Sequence, residues 1–98
     1  MRHFFRTHLT PAAVIQAADA FFPALQLAAS GSSGPRRRTF GGALGNLTLS
    51  AKPEGGHYTF VEVQTDQMGE SRLDRNVKRF FVDLHRTADP AHKLEAAY

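Results

Sequence analysis

Residues 57–87 read HYTFVEVQTDQMGESRLDRNVKRFFVDLHRT, and this stretch decides the fold. In its first nine residues Thr59, Val61 and Val63 share one side of an extended chain, with Tyr58, Phe60, Glu62 and Gln64 on the other. After a turn at Asp66–Gly69 the period changes. Leu73, Val77, Phe80, Phe81 and Leu84 recur at three- and four-residue spacing, which predicts an amphipathic helix ending near Arg86 or Thr87. Ser71-Arg72-Leu73-Asp74 supplies a start resembling a capping box, and Asp74 stands one turn from Lys78, the spacing of a helical ion pair. A half-buried strand running into such a helix encloses a core between them. Val61 and Val63 gain a cover from the helix, whereas Tyr58 and Phe60 do not.

Upstream, Lys52-Pro53-Glu54-Gly55-Gly56 signals a hairpin, because glycine supplies positive φ and proline interrupts a strand. Before it, Leu47, Leu49 and Ala51 alternate with Asn46, Thr48 and Ser50, a strand with one buried face. Arg36-Arg37-Arg38 opens the next strand, and Gly41-Gly42 and Gly45 then mark a bulge or tight turn. Ser30-Gly31-Ser32-Ser33-Gly34-Pro35 has almost nothing to bury and reads as a flexible loop over 30–36. Thr10-Pro11 starts a helix: threonine caps the free amides, and proline at the first helical position forfeits no hydrogen bond. Its stripe is Val14, Ala18, Phe21, Phe22 and Leu25, with Pro23 ending it near Phe22. Residues 2–9 alternate weakly, as an edge strand does. The expected architecture is one α+β domain over 1–98: a small antiparallel sheet of about three strands, ordered strand-helix-strand-strand-helix, covered by an N-terminal helix and a long C-terminal helix. Asp89-Pro90 caps a further short helix in a tail, 89–98, expected to fray.

With 98 residues, 42% of them hydrophobic and 21% charged, the chain has a globular composition and one thin core, which favours pairing with a second copy or a partner. The absence of cysteine removes disulfides, thiolate zinc sites and cysteine nucleophiles, and fits a reducing cytoplasm. No apolar run is long enough to span a membrane. Thr10-Pro11, Gln16 and Asp19 interrupt any signal-peptide core near the start. The net charge of +3 is uneven: residues 1–38 carry five arginines against Asp19, and the remainder is slightly acidic. A run such as Arg36–Arg38 can attract phosphates, although a solvated loop is the simpler reading of three charges.

Catalytic and metal chemistry leave little trace. His3 and His8 fall on opposite faces of a strand, His85 and His92 straddle Asp89-Pro90, and no pair has zinc-protease spacing, so the histidines read as scattered surface residues. Asp66, Glu70 and Asp74 sit where negative charge stabilises a helix N-terminus. Gly41-Gly42-Ala43-Leu44-Gly45 lacks the lysine and hydroxyl of a phosphate loop, and no serine occupies a nucleophile elbow. No catalytic residue, metal ligand or cofactor is therefore assigned.

The opening strand running into Leu9-Thr10-Pro11-Ala12-Ala13-Val14, together with strand Tyr58–Thr65 leading into helix Leu73–Leu84, resembles an abbreviated START-like, polyketide-cyclase or helix-grip protein. The resemblance covers both ends, about half the chain. It implies a terminal helix laid over a curved antiparallel sheet above an apolar ligand cavity, with a dimer completing a sheet this short. The resulting expectation is a noncatalytic protein acting through dimerisation or partner docking, with an apolar small molecule under the C-terminal helix as a further ligand. Tyr58, Phe60, Val61, Val63, Val77, Phe80 and Phe81 are its candidate ligand or interface residues. The alternatives are a nucleic-acid-binding module using Arg36, Arg37 and Arg38, with Phe40, Tyr58 or Phe60 stacking on bases, and a small cyclase-like enzyme.

Overall fold

The computed structural model describes residues 1–29, 34–69 and 71–88. Strand β1 (Arg2–Thr7) leads into helix α1 (Pro11–Phe21) and a single 3-10 turn (Pro23–Leu25). Strands β2 (Ala28–Ala29), β3 (Arg37–Gly42), β4 (Gly45–Glu54) and β5 (Tyr58–Thr65) follow, and helix α2 (Arg72–Ala88) ends the described chain. The five strands form one antiparallel sheet in the order β1-β5-β4-β3-β2, so the first strand pairs with the last. Both helices pack on one face of it.

The core is built from the alternation of β4 and β5. Leu49 pairs with Val63 and Ala51 with Val61, and Leu47 meets Phe40 of β3 on the same face. All six are essentially inaccessible to solvent. Leu73, Val77, Phe80 and Leu84 of α2 close over this face, as their spacing of four, three and four residues requires. Val14, Ile15 and Ala18 do the same from α1. Phe22 joins the layers, with its ring 5.2 Å from Phe40 and 5.0 Å from Phe80.

Local signals set the ends of α1. The Thr10 hydroxyl accepts from the Ala13 amide at 3.1 Å, and Pro11 occupies the first turn. At the other end Pro23 stops the helix after Phe22, and Gln26, at φ 63°, turns the chain back so that Leu27 enters the core. The loop expected at 30–36 lies outside the described residues at 30–33, and its end is tied down where Gly34 bridges Arg37. The tail at 89–98, with its short helix, lies outside the described residues.

The sheet has five strands where three were expected, and the two additional ones carry almost no sequence period. β2 is two exposed alanines, and in β3 the single fully buried apolar residue is Phe40. The other inward position of β3 near α1 is Arg38, whose guanidinium bonds Asp19 of α1 at 3.0 Å, so a cation stands where a pattern reader looks for an apolar side chain. Pro53 does not end β4, which continues to Glu54. The Ala51 amide donates to Arg36 on the β3 side. Two residues on, Pro53 faces the same way, past the start of β3, where no partner strand needs its missing N–H.

Two glycines are required by geometry. A Cβ on Gly42 would lie 2.6 Å from the Gln26 carbonyl oxygen. Gly45, at φ 125° in the β3–β4 turn, would bring a Cβ within 2.7 Å of the Asp66 carboxylate and closer still to the Gln67 amide. Gly45→Ala is expected to lower stability by about 1–3 kcal/mol, read as a reduced urea midpoint with an unchanged m-value.

Candidate functional site

Three places in this fold concentrate polar or exposed groups that packing alone does not require. The first is buried. Asp74, 1% exposed in the first turn of α2, receives four contacts on its carboxylate. His3 Nε2 of β1 lies 2.7 Å from Oδ1, and the Thr65 hydroxyl of β5 donates to the same oxygen at 2.9 Å. The Ser71 hydroxyl and the Gly69 amide donate to Oδ2 at 2.7 and 3.0 Å. Ser71 in turn accepts from the Asp74 amide at 3.0 Å, which completes the reciprocal cap legible in the sequence. His3 is thus a buried residue, not a surface histidine, and its ring also meets Phe81 edge-on. Asp74 is turned inward and not towards Lys78.

Burial by itself raises the pKa of Asp74, but the bonds from His3, Ser71 and Thr65 and the His3 charge outweigh it and hold the group at about 2. With both oxygens saturated, the carboxylate has no free lone pair to act as a base. The cluster fastens β1 and β5 to the start of α2. Of the other two acids in the series, Asp66 accepts from the Asn46 amide and side chain at 3.0 Å each, and with Gln67 these bonds lower its pKa. Glu70 lies outside the described residues.

The second place is the sheet face turned away from the helices. Phe4 stacks on Phe60 at 5.5 Å, the Arg6 guanidinium lies 4.9 Å from the Phe60 ring centre, and the His8 ring packs tilted against Tyr58 at 4.7 Å. Phe4 is 52% and Tyr58 46% exposed. Ion pairs flank them, Arg2 with Glu62 at 3.1 Å and Arg6 with Glu54 at 2.7 Å. Phe4, which shares a strand face with Arg6 and His8, was not among the candidate residues; its place beside Phe60 follows once β1 pairs with β5. The third place is a cleft of about 490 Å³ between α1 and α2, with Ala17, Ala20, Phe21 and Phe80 along it and Asp83, Arg86 and Thr87 at its edge.

The remaining candidates separate. Val61, Val63, Val77 and Phe80 belong to the one buried cluster between sheet and helices, and Phe81 is partly buried, stacked on Phe5 at 5.0 Å. The arginine run divides between the two sheet faces. Arg37 lies on the outer face, while Arg38 points inward to Asp19 and donates to the carbonyls of Gly34 and Arg37. Phe40 is fully buried, so it cannot stack on a base. Among the described residues no helix is long and apolar enough to cross a membrane, and no group of three or more histidines and acids is placed to hold a metal ion.

The chain matches no protein-family model, and no curated protein matches it either.

Because the folded-state pKa of Asp74 lies below the ordinary carboxyl value of 3.8, its contribution to stability is complete above that value and is lost as pH falls towards 2. The shift corresponds to about 2 kcal/mol. Urea melts between pH 5 and about pH 2 should show that loss in the native protein, and a flatter profile in Asp74→Asn. Asp74→Ala at neutral pH should cost about 3–5 kcal/mol, because His3 loses its buried partner.

Proposed function

We propose that this protein is a noncatalytic binding domain whose outer sheet face docks against another protein surface. The observation that carries this reading is the Phe4–Phe60 stack with Tyr58 beside it, large aromatic surface left open opposite both helices. Aromatic rings with arginine beside them and a rim of charge have the composition of an interface centre. The saturated Asp74 carboxylate supports the noncatalytic part. The likeness to helix-grip proteins is supported by the long terminal helix lying across an antiparallel sheet, after an opening strand and a proline-started helix.

A photo-crosslinking residue placed at Phe4 or Tyr58 should give protein adducts, whereas the same residue at Val82, equally exposed on α2, should not. Equal crosslinking from all three positions, or none from the sheet face, would remove the reading.

The inter-helix cleft favours a second reading, an apolar small molecule held against Phe21 and Phe80 beside the terminal helix rather than beneath it. Ala20→Trp fills that cleft and should abolish binding of an anilinonaphthalene sulfonate probe to the native protein. Probe fluorescence unchanged by the substitution would place the dye elsewhere.

A further inference from the structure

The register of the outer face orders its charges along the strands. Four rungs follow from the pairing of β1, β5 and β4. The first is Arg2, Gln64 and Thr48; the second is Phe4, Glu62 and Ser50; the third is Arg6, Phe60 and Lys52. The fourth pairs Tyr58 with Glu54, with the His8 ring packed against Tyr58. Read in that order, the charges on these three strands alternate positive, negative, positive, negative.

A strip whose charge reverses between its two ends and between its two middle rungs is complementary to itself after a half-turn. We propose that the outer face is occupied by a second copy of this chain, related by a two-fold axis that lies in the interface and runs across the strands. This rests on the docking reading above and names its partner. The half-turn sets the first rung over the partner's fourth and the second over the partner's third. Glu62 then reaches between the partner's Arg6 and the partner's Lys52, and Phe4 meets the partner's Arg6. The Arg2 end lies over the end that carries the partner's Glu54. An axis along β5 instead sets Glu62 on the partner's Glu62, Arg6 on the partner's Lys52 and Lys52 on the partner's Arg6, three like-charge contacts, so charge favours the first arrangement over that one.

Strands crossing their counterparts nearly antiparallel fit the aligned packing of two sheets. The ion pairs within one copy do not oppose this. Arg2 and Arg6 are 59% exposed and Glu54 is 47% exposed, so their present bonds are weak, and each carboxylate can be shared with a cation of the other copy.

Equilibrium sedimentation of the full chain tests this. The mass should rise from one chain to two with concentration. Glu54→Lys with Glu62→Lys makes the face wholly positive, and Arg2→Glu, Arg6→Glu, Arg37→Glu and Lys52→Glu together make it wholly negative. Each set should weaken self-association by at least roughly tenfold, and an equimolar mixture should restore a two-chain species containing one of each. Circular dichroism confirms that both sets fold; Phe4→Asp, a single change on the same face, gives an independent loss of the dimer. A wild-type chain that stays single at every concentration, a dimer indifferent to both charge sets, or a mixture that fails to pair would overturn the proposal. Crosslinks from Phe4 to a different protein, with a single-chain mass, leave the docking reading standing and remove the second copy.

Discussion

The carboxylate of Asp74 is the constraint on which the rest of the molecule depends. Its partners come from the start of the chain, the end of the last strand and the turn before the last helix, and they meet at one side chain with no solvent access. A buried charge is costly unless every lone pair is answered, so β1, β5 and α2 cannot shift relative to one another without exposing or orphaning it. The apolar core beneath is tolerant by comparison, since aliphatic side chains repack at modest cost. Position is fixed here by electrostatics, and adhesion comes from the hydrophobic layer.

That division explains which parts of the structure were legible beforehand. The β4–β5 hairpin, both helices and the buried roles of Val61, Val63, Val77 and Phe80 follow from period and capping, which are local properties. β3 was legible only as a strand opening at the arginine run, and its separate place in the sheet was hidden because one of its inward positions is an arginine whose partner, Asp19, lies nineteen residues away. The His3–Asp74 contact was hidden more deeply, since its members are 71 residues apart and neither has a distinctive neighbour. The even spacing that puts Phe4 on the face of Phe60 was present in the sequence, but it gains meaning only through the pairing of first strand with last.

The outer face shows the same economy of means. Its aromatic rings are too few for a second core, and its charges are of both signs. Inward-pointing side chains of β1, β4 and β5 are apolar or hydroxyl-bearing apart from His3, while the charges on their outward positions alternate in sign from rung to rung, so one backbone register serves both a core and a surface.

The pairing of β1 with β5 also has a kinetic meaning. Every partner of β1 in the sheet lies between Thr59 and Gln64, more than fifty residues downstream. On the ribosome, the first strand therefore emerges long before anything exists for it to pair with, and α1 and the β3–β4 turn can form around local contacts while it waits. Phe4 and Phe5 remain uncovered through that interval. Closure of the sheet, burial of His3 and docking of α2 must then follow almost together, once synthesis has passed Asp74.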